Sequence, residues 1–153
     1  MEFLRQLFVY GSLRRNCGND SVLAPFPHEV QVARTKGLLY HVPQLGYSGL
    51  IEGEGEAVGE LISFGEHLSP EKLQEIYAVL DAFEGYYGPG SPDNLYVRRV
   101  VSVWREPIAQ PINAYAYFFA DEARAKSLGE LIPHGDWKRY LSEQEQRRRG
   151  SNS

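Results

Sequence analysis

Several classes of protein are excluded by what this chain has little of. Its 153 residues hold a single cysteine, Cys17, so no internal disulfide framework can form, and the usage fits a reducing compartment. No run approaches the roughly 20 consecutive apolar residues that a bilayer crossing needs. The opening "MEFLRQLFVYGS" lacks an apolar stretch of signal-peptide length. The expectation is a cytoplasmic protein with no membrane partner. Positive charge is not in excess either: the net charge of −4 gives no electrostatic footprint for nucleic acid. The one basic cluster, Arg147-Arg148-Arg149, lies beside Gly150 in a polar end. It reads as a solvated tail, residues 146–153, following one domain over residues 1–145.

The common catalytic and cofactor motifs are also missing. There is no P-loop, and the glycine-rich "GEGEAVG" (53–59) precedes an apolar run; a dinucleotide fingerprint must follow a strand and open a helix. His28, His41, His67 and His134 are scattered without metal-ligand spacing, so no metal and no cofactor is expected. Without a G-x-S-x-G elbow, Ser12 has little support as a nucleophile. Cys17 lies in a polar loop and would need a histidine delivered by the fold.

What is present suits one compact α+β unit. A domain of this length buries roughly 68–70% of the surface of its unfolded chain, enough for one core and an enclosed pocket. Leu7–Tyr10 is a short apolar run stopped by Gly11-Ser12, and residues 13–28 read as a loop. Strands are predicted over Val30–Val42, 56–64, 96–104 and 112–119. The last is apolar on most of both faces and therefore central. "SPEKLQEIYAVLDAFEG" is the clearest helix. Ser69 is its N-cap, Pro70 its first residue, Gly85 its stop, and Leu73, Ile76, Tyr77 and Leu80 its buried stripe. Asp136 caps a last helix, "WKRYLSEQEQRRR". About five strands with two or three helices that do not alternate one for one imply a mixed or mostly antiparallel, curled sheet.

Two short stretches could carry chemistry. Glu84 lies eleven residues after Leu73 and four after Leu80, so a 3.6-residue period aims it along the buried stripe. It also sits where the helix dipole disfavours negative charge. Burial and dipole both raise a carboxyl pKa towards the range useful for proton transfer at neutral pH. A frayed last turn pointing Glu84 at water is the competing reading, and periodicity does not choose between them. In "VYGSL" (9–13), a strand ending in Gly-Ser exposes consecutive backbone N–H groups that could form an anion-binding nest; a plain turn is the alternative.

In order along the chain, "FVYGSL", "GLLY", "GYSGL" (46–50), "AVGELISF", "LDAFEGY", "YVRRVVSV" and "GDWKRYL" resemble the small bacterial γ-glutamylcyclotransferase-like family over residues 7 to about 141. One departure is Ser48, where the family often has proline. The resemblance implies a small mixed or mostly antiparallel β-barrel of about five or six strands flanked by two or three helices. It implies a substrate-binding turn at Tyr10, Gly11, Ser12 and Leu13, and Glu84 as the acid/base. The partner implied is a small-molecule γ-glutamyl substrate, cyclised to 5-oxoproline with release of an amine by a monomer or homodimer. A binding module that keeps the fold without turnover, and a hydrolase using water, remain alternatives. Tyr47, Tyr86, Tyr96, Tyr115 and Tyr117 are candidates for the pocket wall, each equally suited to core packing.

Overall fold

The computed structural model describes residues 3–44 and 46–151, the last without its side chain; the end of the polar tail, residues 152–153, lies outside the described residues. The first apolar run forms β1 (Gln6–Val9). After a 3-10 turn at Asp20–Val22 come two long antiparallel partners, β2 (His28–Val42) and β3 (Tyr47–Phe64). Helix α1 (Pro70–Glu84) follows, then the antiparallel pair β4 (Tyr96–Arg105) and β5 (Ile108–Phe119). A short α2 (Glu122–Leu128), a two-residue β6 (Glu130–Leu131) on β2, and α3 (Trp137–Ser151) complete the order.

Strand pairing runs in a closed circuit. β1 pairs antiparallel with β3, β3 with β2, β2 with β4 and β4 with β5, and β5 returns parallel to β1 at Leu7 and Tyr115. The expected α+β class with a mixed, mostly antiparallel sheet is what forms: six strands and three α-helices among the described residues. A closed circuit leaves few unpaired strand edges. Among the described residues no helix is long and apolar enough to cross a membrane.

The two-residue period of the strands divides the core. Leu7 and Val9 of β1, and Tyr117 and Phe119 of β5, join the buried stripe of α1. Their neighbours Phe8, Ala114, Ala116 and Phe118 form a second cluster with Leu39, Leu50, Leu61 and Trp137. Leu73, Ile76, Tyr77 and Leu80 are buried in the first cluster, as their spacing predicts. Ser69 caps α1 by accepting from the Lys72 N–H at 3.1 Å.

Two features differ from the sequence expectation. The glycine-rich 53–59 segment lies inside the single long strand β3 rather than before it. A side chain at Gly53 or Gly55 would stand 2.5 or 2.7 Å from the Leu38 side chain, so the glycines mark a close crossing, not a turn. Helix α2 has seven residues capped by Asp121, which accepts from the Arg124 N–H; it is too short and charged to show a periodic stripe. Arg148 and Arg149 reach back to Glu145 within α3.

Candidate active site

The last turn of α1 fixes where Glu84 points. Gly85 adopts a left-handed conformation (φ 67°, ψ 42°), which a residue without a Cβ reaches without strain. Its N–H bonds to the Ala82 carbonyl, and the Tyr86 N–H to that of Asp81 at 2.9 Å, a Schellman closure. The Gly85 carbonyl then accepts from the Leu95 N–H at 2.9 Å. The helix therefore ends tied down rather than frayed, and Glu84 is turned inward and partly buried. Burial raises its carboxyl pKa from the ordinary 4.5 to about 7. Among the described residues no hydrogen-bond or ion-pair partner offsets that desolvation.

The 11–13 turn is built from its carbonyls and leaves its amides free. The Gly11 carbonyl accepts from the Arg14 N–H at 3.0 Å, and that of Ser12 from the Asn19 N–H at 2.8 Å. Asn19 also donates to Ser12 Oγ at 2.9 Å. No acceptor among the described residues takes the N–H groups of Gly11, Ser12 or Leu13. Gly11 lies outside the left-handed region; it is needed for close approach, because a Cβ there would stand 2.5 Å from Ser48 Oγ. Two part-buried polar contacts brace the turn. Arg14 bonds Asp136 at 2.9 Å beside the start of α3, and Glu60, its side chain 3% exposed, accepts from the Arg15 N–H at 2.6 Å.

One cavity of about 340 Å³ joins the two features. Glu84 lines it together with Tyr10, Gly11, Ser12 and Leu13. Tyr47, Tyr96 and Tyr117 belong to its wall; Tyr86 and Tyr115 do not. Those two rings instead pack, with Phe3 and Tyr77, around the Arg98 guanidinium at 4.9–5.5 Å. A larger cavity of about 750 Å³ lies between residues 91–95 and 119–125. Glu52 there is paired with Arg99 at 3.0 Å, and neither the turn nor Glu84 reaches that cavity.

Sequence reasoning passed over Asp81 and Trp137, and noted Ser48 only as a departure from the family pattern. Asp81 accepts from Tyr117 Oη at 2.6 Å and pairs with Arg98 at 2.7 Å, holding one wall of the cavity. The visible signal was an arginine inside the strand "YVRRVVSV", which needs a partner once that strand packs. Ser48 stands against Gly11, and its carbonyl accepts from Tyr96 Oη at 2.6 Å. Trp137, at the start of α3, closes another side. The site holds a carboxyl whose pKa burial raises and a turn whose backbone N–H groups meet no acceptor among the described residues. That set suits proton transfer coupled to attack at a carbonyl.

A family model described as "Gamma-glutamyl cyclotransferase, AIG2-like" matches residues 7–139. No curated protein sequence matches the chain. Among solved structures, YkqA from Bacillus subtilis is 26% identical with a TM-score of 0.63, covering 94% of this chain and 43% of YkqA. The chain thus spans less than half the length of that relative. An AIG2-like protein from Mus musculus is 21% identical, with a TM-score of 0.62 and 89% of each chain covered. At5g39720.1 from Arabidopsis thaliana is 23% identical, with a TM-score of 0.60 over 92% of this chain and 84% of its own. At such identities the latter two report a shared fold.

Proposed function

Because the chain belongs to the gamma-glutamyl cyclotransferase, AIG2-like family, we propose that it cyclises the γ-glutamyl group of a γ-glutamyl amine or γ-glutamyl amino acid to 5-oxoproline, releasing the amine. The observation that carries this reading is the pairing of Glu84 with the free N–H corner of Gly11, Ser12 and Leu13 across one cavity. The ionised Glu84 carboxylate takes a proton from the substrate's α-ammonium. The freed amine attacks the γ-carbonyl carbon and forms the ring C–N bond. As the tetrahedral intermediate collapses, the protonated Glu84 returns that proton to the departing nitrogen, the original C–N bond breaks, and the second proton of the ring nitrogen passes to the released amine, which leaves as an ammonium. A carboxyl pKa near 7 lets one group serve both steps at neutral pH. Nucleophile and electrophile share one molecule, so the main task of the wall is to hold the chain folded for attack.

The test is a panel of γ-glutamyl compounds incubated with purified protein, with 5-oxoproline as readout. Release from at least one member is expected, and none from its N-acetylated counterpart, which has no amine to cyclise. Glutamate rather than 5-oxoproline as product would replace cyclisation with hydrolysis. No product from any member would leave a binding module on the same fold.

A further inference from the structure

Three consecutive residues at the start of α3 bear on the 11–13 turn. Asp136 takes a hydrogen bond from the Arg14 guanidinium at 2.9 Å. Trp137 forms part of the cavity wall. Lys138 stands 3.7 Å from Glu60 of β3, and Glu60 accepts from the Arg15 N–H at 2.6 Å. Two of these charges are hidden from water: the Arg14 side chain is 6% exposed and that of Glu60 3%. Among the described residues Asp136 is the one hydrogen-bond partner of the Arg14 guanidinium, and Arg14 Nε is buried with none. Burial alone would raise the Asp136 carboxyl, yet the Arg14 guanidinium and the Arg139 N–H hold it below its ordinary value. A buried charge with so few partners keeps its place only while its counter-ion does, because removing one leaves the other unpaired. The turn needs such ties. Its N–H groups have no acceptor among the described residues, and unpaired backbone donors favour any rearrangement that pairs them.

We propose that the start of α3 is a clasp that holds the free-amide turn in shape, with Asp136 and Arg14 as its main positioning pair and Lys138 and Glu60 as its second. Its kinetic consequence rests on the reading of the cavity as a γ-glutamyl site; the clasp itself is a mechanical property of the chain. None of the four side chains lines the cavity, so each acts through the turn and not on a ligand. The Arg14 N–H closes onto the Gly11 carbonyl at 3.0 Å, which passes any displacement of Arg14 back to Gly11. Glu60, by holding the Arg15 N–H, sets the direction in which the chain leaves the turn. The base of the clasp is fixed in turn. The Gly135 carbonyl accepts from the Val58 N–H of β3 at 2.8 Å, and the Trp137 ring stacks on Tyr140 at 5.4 Å. Donors held in place beforehand need no rearrangement when negative charge arrives or develops beside them.

Asp136 also caps α3 by accepting from the Arg139 N–H at 3.3 Å. Asp136→Asn separates the two roles, since asparagine still caps a helix but carries no charge. Nitrogen-15 relaxation of the full chain reads the turn without any substrate. Residues 11–13 are expected to be rigid in the wild type, with order parameters of about 0.85, and to fall below about 0.6 in Asp136→Asn and Arg14→Met. Arg14→Lys keeps the charge and should recover part of that rigidity; Lys138→Met, at a part-exposed position, should lower it less. In turnover well below the unfolding temperature, Asp136→Asn and Arg14→Met should each lose about tenfold in kcat/KM, as a small misplacement of binding groups does. The double variant should stay within about twofold of the worse single, because one pair can be broken only once. A turn as rigid in both single variants as in the wild type overturns the inference and leaves the pair a role in stability alone. Losses that add in the double variant overturn it as well. Should both single variants fail to fold, Arg14→Lys and Lys138→Met take their place, and unaltered order parameters in both overturn it. A wild type that releases no 5-oxoproline removes the proposed reaction, and the relaxation data then decide the clasp.

Discussion

Asp81 and Glu84 leave the same final turn of α1, three residues apart, and meet opposite surroundings. Asp81 faces Arg98 at 2.7 Å and Tyr117 Oη at 2.6 Å. Glu84 lies within the field of Tyr10 and Tyr96, whose hydroxyls donate to main-chain carbonyls, and has no cation beside it among the described residues. Charge is stabilised in the first place and penalised in the second. One helical turn thus holds a carboxylate paired with Arg98 of β4 and Tyr117 of β5, and a carboxyl whose pKa is raised by burial alone. Residue type and helical position alone do not assign a role; the groups opposite do.

The comparison breaks most sharply at Glu84→Gln. Release of 5-oxoproline should fall about 10²- to 10⁴-fold, the usual contribution of a positioned acid/base, with unfolding temperature undiminished. A variant retaining more than a tenth of wild-type turnover would remove Glu84 from the proposed mechanism. Asp81→Asn should show the reverse emphasis. Arg98 would lose its partner in a part-buried setting, at a cost of about 2 kcal/mol after allowance for exposure. In a domain of this size that is a fall of roughly 4–8 °C in Tm; an unchanged Tm would mean that the pair contributes nothing to the wall.

Gly11→Ala sharpens the contrast from the opposite side of the cavity, leaving both carboxylates in place. The new Cβ would meet Ser48 Oγ at 2.5 Å, and the resulting shift of the turn should lower kcat/KM about tenfold. Adding Ser48→Ala removes that oxygen and should restore most of the loss; failure of the double variant to recover would show that the turn needs glycine for another reason.

The smallest effect is one of stability against pH. Glu84 holds its proton more tightly in the folded chain, with a pKa of about 7 against an ordinary 4.5. Its favourable contribution is therefore complete below about pH 4.5 and is lost as pH rises to about 7. At pH 8, Glu84→Gln should be more stable than wild type by about 1–2 kcal/mol, and the gap should close near pH 4. Denaturant unfolding at the two pH values measures it, and a gap independent of pH would mean that Glu84 is not held at a raised pKa. In activity, kcat/KM of the wild type should climb through pH about 7 as the carboxylate forms.

How much was legible in the chain depended on the range of the interaction. Helix α1 could be read almost to the residue, because Ser69, Pro70 and Gly85 act on backbone groups within a few positions of themselves. The two faces of β5 followed from alternation, with Tyr117 and Phe119 on one side and Ala116 and Phe118 on the other. Alternation could not distinguish Tyr115 from Tyr117, which share a face. The closure of the ring sends one to the Arg98 cluster and the other to the cavity. The glycines of β3 misled because local signals register a missing side chain but not the Leu38 side chain that crosses there.

By itself, then, the chain determined its α+β class, the limits of α1, the run of its strands and the two short stretches able to do chemistry, since each rests on neighbours in sequence. Only the tertiary structure decided that Glu84 turns inward and that it shares a cavity with the 11–13 amides. Those outcomes depend on groups brought from distant positions: Leu95 anchoring Gly85, Tyr10 and Tyr96 lining the same cavity as the carboxyl, and Ser48 closing on Gly11. Desolvation has no periodicity, and the chain must close on itself before any residue experiences it.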